Sequence, residues 1–466
     1  MNSSNSTMLK VYSPYDNSLI QELPLNIDLD VENALTQASN LYNQHPHGLP
    51  AYQRIEILEK LVVLITKQQE EIVKLATQEG GKPYQDSKVE ILRAINGVKL
   101  AAQAISQLHG EQIPMGVTPA SENRLAFTTK EPIGVVVAIS AFNHPFNLIV
   151  HQVATAVAAG CPVIVKPALT TPLSCIKFVN LLKEAGLPAN WAQVLICEDG
   201  LAEKLATDKR VAYLTFIGSA KVGWHLRSKI APGTRIALEH GGVAPVIVEQ
   251  DADVKELVPS IVKGGFYHAG QVCVSVQRVF VHEKIVTQVA DKLVAEAKKL
   301  IVGNSLNEQT QVGPLILSRE VDRIETWVNE AITEGAKLLC GGKRISETCF
   351  EPTILLNPNK NSLVSTQEIF GPVICLYTYS VVEDAIKQAN ALPFAFQAAV
   401  FTKNIDKAFA ITKQLNAAAV MVNDHTAFRV DWMPFGGRNV SGIGVGGIQY
   451  TINEMLQDKL VVMKTK

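Results

Sequence analysis

The chain has 466 residues, more than a single hydrophobic core accommodates, so two or three packed units are expected. Hydrophobic residues make up 47% and charged residues 19%, a globular balance that leaves little room for extended disorder. The net charge of -1 and the lack of any dense Lys/Arg run argue against a nucleic-acid partner.

The first residues, Met1 to Met8, are polar and lack the charged-then-apolar pattern of a secretory signal. Apolar residues at helical spacing (Ile55, Leu58, Leu61, Val62, Ile65, Ile72, Leu75) predict one helix over Tyr52–Gln78, stopped by Gly80-Gly81. A second helix follows over Tyr84–Leu108. Arg124–Lys130 reads as an exposed strand. From Ile133 the rhythm changes to short β-branched runs alternating with helices. Strands are expected at Gly134–Ile139, Val163–Val165, Ala192–Ile196 and Ala212–Ile217. Helices are expected over Phe146–Ala159, Pro172–Glu184 and from Ala220. Continuous apolar strands separated by helices indicate a parallel sheet covered on both faces, a doubly wound architecture. A second alternating set runs from Val246 to about Val422, with helices near Val254–Tyr267, Glu283–Leu300 and Ser318–Glu334. Lys459–Met463 reads as a last strand. Terminal strands of this kind commonly pair across subunits, because an unpaired edge is a liability.

The most apolar region, Ile133 to Val165, is interrupted by Asn143, His144, Pro145, Asn147, His151 and Gln152, so no membrane span is expected. Seven cysteines (Cys161, Cys175, Cys197, Cys273, Cys340, Cys349, Cys375) are odd in number and form no CxxC pair. Neither a disulfide framework nor a metal site is indicated, and a reducing cytoplasm fits best.

Four segments carry residue types suited to chemistry. Gly270-Gln-Val-Cys273 puts a thiol just after a glycine turn, although a lone cysteine is more often a buried structural residue. Leu238-Glu-His-Gly-Gly242 puts Glu239 at a strand end beside two glycines. There partial desolvation would make it a base, and an ordinary surface carboxylate is the alternative. Asn143, in Ser140-Ala-Phe-Asn-His-Pro-Phe146, follows an apolar strand, where open α/β sheets place their ligands; a plain turn-forming Asn is the alternative. Phe216-Ile-Gly-Ser-Ala-Lys-Val-Gly223 runs from strand to glycine turn to helix. A helix N-terminus suits a phosphate, though the segment is neither GxGxxG nor a P-loop.

In order and spacing the series Phe142-Asn-His-Pro-Phe146, Val165-Lys-Pro167, Phe216-Ile-Gly-Ser219, Leu238-Glu-His-Gly-Gly242, Gly270-Gln-Val-Cys273, Glu368-Ile-Phe-Gly-Pro372 and Pro434-Phe-Gly-Gly437 resembles the aldehyde dehydrogenase superfamily over nearly the whole chain. The resemblance implies an α/β fold with a Rossmann-like coenzyme domain (1–111 and 131–241), an α/β catalytic domain (242–440) and a β-strand oligomerisation arm (112–130 and 447–466), assembled as a dimer or tetramer. It implies Cys273 as nucleophile, Glu239 as general base and Asn143 as oxyanion donor. For the coenzyme, NAD or NADP, it implies Lys166 on the adenosine ribose and Gly218 with Ser219 in the pyrophosphate turn. Glu368 would hold the nicotinamide ribose and Phe370 flank the nicotinamide, with Ser140, Ala141, Phe142 and Leu169 among the further coenzyme contacts.

The chemistry fits. A thiolate attacks the aldehyde carbon, preorganised donors hold the oxyanion, hydride passes to the coenzyme, and a base activates the water that hydrolyses the thioester. Coenzyme A as acyl acceptor, or a non-catalytic member of the fold, are the competing readings.

The chain departs from the family pattern at several places. Leu169 stands where a ribose-binding carboxylate is common, which leaves room for NADP. His268 stands for the usual Asn of FxNxGQxC, and His240 and Val243 replace the common Leu and Lys beside the glutamate. The segment Asn423–Met433 falls where family members line the substrate mouth. With His425 and Arg429 from that segment, and Arg93 and His144 from elsewhere, it resembles the branch handling lactaldehyde and other small hydroxy- or anionic aldehydes. Arg suits anionic oxygens through its planar fork of donors, while structural salt bridges are the alternative for Arg93 and Arg429.

Overall fold

The computed structural model describes residues 7–466. The polar stretch 1–6, read above as part of a segment without secretory character, lies outside them.

Two open sheets organise the chain. The first has six strands in the spatial order Gly442–Ile443, Arg235–Glu239, Val211–Ile217, Val135–Ile139, Val163–Lys166, Ala192–Val194. All neighbours are parallel except Gly442–Ile443. Along Val135–Ile139 the side chains alternate between two cores. Val136 and Ala138 face helices Tyr84–Ile105, Asn147–Ala159 and Leu173–Glu184. Val135, Val137 and Ile139 face helices Asp28–Gln44, Asp199–Thr207 and Ala220–Arg227. A strand apolar on both faces requires helices on both sides, which is why these runs lack the polar alternation of a half-exposed strand.

The chain enters this sheet at its centre, winds outward through Val163–Lys166 and Ala192–Val194, then crosses back to Val211–Ile217 on the other flank. Such a reversal opens a crevice at the carboxyl ends of the strands. Ser140, Lys166, Gly218 and Glu239 all sit at those ends.

The second sheet has seven strands, in the order Lys337–Cys340, Thr353–Leu356, Val373–Tyr379, Arg278–His282, Pro245–Val248, Gln397–Phe401, Ala419–Val422. It is parallel but for the first pair. Helices Val254–Phe266, Val286–Ala297 and Ser318–Thr333 cover it and share one large core. The two strands expected to be exposed, found at Arg124–Pro132 and Leu456–Lys464, pair with each other antiparallel over nine residues each, with Gln112–Ile113 on the far side. Leu456–Lys464 remains an edge, with Leu460 and Val462 exposed.

Two expectations need correction. The helix predicted over Tyr52–Gln78 is two helices, Ala51–Lys67 and Gln69–Gly80, broken at Gln68. The break turns Ile72, Val73 and Ala76 into the core and leaves Leu75 partly exposed. The helix after Phe146 holds a π-turn at Val150–Ala154. Within it His151 reaches Asp431 (2.7 Å), while Gln152 donates to the Ile139 and Thr215 carbonyls (3.2 Å each). Among the described residues no helix is long and apolar enough to cross a membrane.

Candidate active site

A cavity of about 800 Å³ runs between the two sheets. Cys273 and Asn143, from two loops, and Glu239, from the end of strand Arg235–Glu239, share its wall.

Cys273 owes its position to an unusual turn. Helix Val254–Phe266 ends, and His268 (φ 48), Ala269 (φ 52) and Gly270 (φ 72) follow in succession in the left-handed region. Histidine is among the non-glycine residues enriched there, which accounts for His268 at a position where Asn is usual. Gly270 is doubly constrained, since a Cβ would collide with the backbone of Gly371. Gln271 then locks the turn: its side-chain amide donates to the Pro314 carbonyl (3.2 Å) and its Oε1 accepts from the Ile316 N–H (2.9 Å).

The thiol so placed faces Glu239, with Sγ 4.0 Å from Oε1. Burial pushes the Cys273 thiol well above its ordinary value, the Glu239 charge adds to this, and Arg429 works against it. Burial likewise raises the Glu239 carboxyl, again opposed by Arg429. A thiol and a carboxylate that each resist ionisation beside one another are suited to passing a single proton between them or through one water.

Asn143 spends one amide hydrogen on the Gln271 carbonyl at 2.9 Å, which ties its loop to the cysteine turn and leaves the second hydrogen free. The loop is anchored from below: buried Glu90 accepts from the N–H groups of Phe146 and Asn147 (3.0 Å each) and pairs with buried Lys82.

The long arm of the cavity fits a dinucleotide. Lys166, Ala168, Leu169 and Asp199 line one end, Gly218 and Ser219 the middle, and Glu368 and Phe370 the end nearest Cys273. Ser219 stands at the N-cap position of helix Ala220–Arg227 without a side-chain capping bond, so the first N–H groups of that helix are free to face the arm. Ser140 Oγ and Glu368 Oε1 are buried and have no hydrogen-bond partner among the described residues, as expected of atoms reserved for a ligand's hydroxyls. Gly241 permits this, because a Cβ there would overlap the Glu368 carboxylate. Burial raises Glu368 to about 8, against the pull of the Gly242 N–H and Arg323. Ala141 and Phe142 also line the arm, and Phe142 meets Phe370 edge-on with centroids 5.9 Å apart. Lys166 Nζ lies 3.9 Å from Asp199 Oδ1.

The other side of the cavity holds the candidate substrate residues, and they fare differently. Arg429 lines the wall with its guanidinium over the Phe435 ring, 3.5 Å from the centroid, and its buried Nε has no partner among the described residues. His144 also lines the wall, 3.2 Å from the Tyr267 hydroxyl, and burial drives it well below its ordinary pKa. Arg93 reaches the wall but is committed to Asp431 through Nε (3.1 Å) and Nη2 (2.7 Å), so the salt-bridge alternative holds for it. His425 is a correction, since it does not line the cavity. Its ring packs against Gly264 at the end of helix Val254–Phe266, with Nε2 3.9 Å from Asp424.

Several residues here were not picked out from sequence. Asp431 collects Arg93, His151 (2.7 Å) and Asn147 (3.2 Å) while only 2% exposed, and so fixes the segment carrying Arg429. Tyr267, inside the FxNxGQxC-like motif, and Asp199, just beyond strand Ala192–Val194, lay where motif neighbourhood and the strand-end rule point.

A doubly wound sheet, a second α/β layer and a thiol–carboxylate–amide cluster at the end of a dinucleotide-sized groove define an aldehyde-oxidising dehydrogenase. The chain belongs to the aldehyde dehydrogenase family, whose model matches residues 1–461. It is 38% identical over 456 residues to the 3-sulfolactaldehyde dehydrogenase of Priestia megaterium, covering 98% of this chain and 94% of that one. It is 37% identical to the lactaldehyde dehydrogenase of Methanocaldococcus jannaschii, covering 98% of each. Among solved structures, glyceraldehyde-3-phosphate dehydrogenase GapN from M. jannaschii complexed with NADP superposes with a TM-score of 0.94 at 35% identity, over 99% of this chain and 100% of that one. The protein is therefore an NAD(P)-dependent aldehyde oxidoreductase.

Proposed function

We propose that this enzyme oxidises a short aldehyde bearing an anionic group, a sulfonate, phosphate or carboxylate, to its acid, with Cys273, Glu239 and Asn143 performing the chemistry. The observation that carries the substrate class is Arg429. Its guanidinium lies in the wall shared with Cys273 and Glu239, with no carboxylate hydrogen-bonded to it among the described residues and a buried Nε unsatisfied. A planar cation with spare donors beside the reacting carbon suits an anionic substituent. The named activity of the Priestia relative, toward a sulfonated aldehyde, points the same way.

In this reading the Cys273 thiol gives its proton to Glu239, directly or through water, and the thiolate attacks the carbonyl carbon. The free amide hydrogen of Asn143 and the Cys273 backbone N–H hold the oxyanion. Removing one such donor typically costs about a hundred- to thousandfold in rate. Bound in the long arm by Lys166, Gly218, Ser219 and Glu368, the coenzyme supplies the hydride acceptor. Once Glu239 has passed that first proton to solvent, it takes a proton from a water whose oxygen attacks the thioester carbon; the C–S bond breaks, Cys273 leaves as the thiolate and the acid is freed. The 4.0 Å approach of Glu239 to the sulfur favours water over coenzyme A as acyl acceptor.

The six-stranded layer serves as the coenzyme domain and the seven-stranded layer as the catalytic domain in this reading. The exposed edge of Leu456–Lys464 serves as the self-association arm. Seven unpaired thiols suit a cytoplasmic setting.

The test is a steady-state panel with NAD+ and with NADP+: 3-sulfolactaldehyde, succinate semialdehyde and glyceraldehyde 3-phosphate against lactaldehyde, propanal and benzaldehyde. The reading predicts the highest kcat/KM among the first three and loss of that preference in Arg429→Gln. Preference for benzaldehyde or propanal contradicts it.

A further inference from the structure

Coenzyme choice in this chain has an unusual physical basis. Leu169, where a carboxylate facing the adenosine ribose is common, can neither accept a hydrogen bond from a ribose hydroxyl nor repel a 2′-phosphate. Taken alone, it leaves NADP+ unopposed. The structure supplies a carboxylate from another element lining the cavity. Asp199, the first residue of helix Asp199–Thr207, brings Oδ1 to 3.9 Å from Lys166 Nζ, and both side chains line the same end of the cavity.

Asp199 has no other ion-pair or hydrogen-bond partner for its side chain among the described residues. Glu203, one turn further along, lines the cavity too. Its charge is taken up by His225 (2.9 Å) and Lys229 (2.7 Å), which leaves Asp199 as the free carboxylate at this end.

We propose that Asp199 selects NAD+ over NADP+ in this enzyme, doing from the start of helix Asp199–Thr207 what Leu169 cannot do. The inference rests on the reading that Lys166 contacts the adenosine ribose. A ribose with a free 2′-hydroxyl entering between the two groups donates to Asp199 while Lys166 donates to its other oxygens. A 2′-phosphate, carrying nearly two negative charges, meets Asp199 at the same place and finds the Lys166 ammonium already partly compensated. Asp199 is fully open to water, so the discrimination is modest, about tenfold at low salt, and it weakens as salt screens it. A buried carboxylate would discriminate more strongly and with little response to salt.

The experiment is calorimetric binding of NAD+ and of NADP+ to the full-length protein without aldehyde, for the wild type and Asp199→Asn, at low and at high salt. The side chain is solvent-facing, so the substitution leaves the core untouched. Wild type is expected to bind NAD+ about tenfold more tightly than NADP+ at low salt, with the ratio shrinking at high salt. In Asp199→Asn the ratio is expected to fall toward unity, mainly through tighter NADP+ binding, and to lose its salt dependence. A wild type that prefers NADP+, or an Asp199→Asn ratio within about twofold of wild type at low salt, overturns the inference while leaving the cavity as a coenzyme site. Binding of neither coenzyme to either protein overturns the coenzyme reading itself, and this inference with it.

Discussion

Replacing Asp431 by Asn keeps the volume but removes the charge on which Arg93, His151 and Asn147 converge. Burial alone would raise the Asp431 carboxyl. His151 and Arg93 outweigh it and hold the group well below the ordinary carboxylate range, so it is ionised in the folded protein at any working pH. His151 is pushed down to about 4, chiefly by burial, and therefore donates Nε2–H as a neutral ring, consistent with an unpartnered Nδ1. Deleting one member of a buried pair typically costs 3–5 kcal/mol. Asp431 is 2% exposed but the Arg93 side chain 23%, so water recovers part of the loss and about 3 kcal/mol is expected. Urea unfolding followed by tryptophan fluorescence measures it. Because Arg429 lies two residues before Asp431, KM for the aldehyde should also rise while KM for the coenzyme stays unchanged. Adding Arg93→Met to Asp431→Asn should recover part of the stability, since the arginine charge is then no longer left unpaired while the amide oxygen still accepts from His151 and Asn147. A loss below about 0.5 kcal/mol in Asp431→Asn, or a double variant worse than the single one, refutes the reasoning.

Two further outcomes follow from the same electrostatics. Arg429 opposes the upward push of burial on both Cys273 and Glu239, so Arg429→Gln should move the rising limb of the kcat/KM profile to higher pH. Measured with propanal, which has no anionic group to lose, activity at neutral pH falls and recovers as pH is raised; an unshifted limb contradicts the assignment. His268, with both ring nitrogens buried and without a partner among the described residues, is held far below its ordinary pKa by burial. Its depressed value means the unfolded chain takes up a proton below about pH 6.5 that the folded chain refuses, so this residue costs stability as pH falls. His268→Asn keeps a residue tolerant of the left-handed turn. It should gain on the parent by about 1.4 kcal/mol for each pH unit below that point, read from urea midpoints; parallel curves would contradict this.

Strand and helix alternation was legible because each parallel strand is apolar on both faces, and the order of the motifs around Asn143, Glu239 and Cys273 carried the family. The helix break at Gln68 was not legible, because neither Pro nor Gly marks it and the polar run Gln68–Glu71 fits one helix as well as two. The hairpin Met8–Tyr12 with Leu19–Pro24 escaped notice because only Val11 is buried among its strand residues, so no apolar period announces it. Asp431 and Arg93 are 338 residues apart, and nothing local tells a carboxylate that buries itself against a distant arginine from one in solvent. His425 was placed at the mouth by its segment, whereas the missing side chain of Gly264 lets its ring fold away. A cue lay in the Gly264-Gly265 pair at the helix end, since glycines there invite close packing.

The central claim is that Cys273 carries the acyl group until Glu239 activates water to release it. Glu239→Gln, mixed with coenzyme and a turned-over aldehyde, tests it most directly by intact-mass and peptide mass spectrometry alongside coenzyme absorbance. Because the same residue also takes the Cys273 proton, the account predicts a slowed first turnover that yields one reduced coenzyme per site, still slower turnover thereafter, and the acyl mass on Cys273. An unmodified Cys273 in that variant, together with undiminished oxidation by Cys273→Ala, would contradict it.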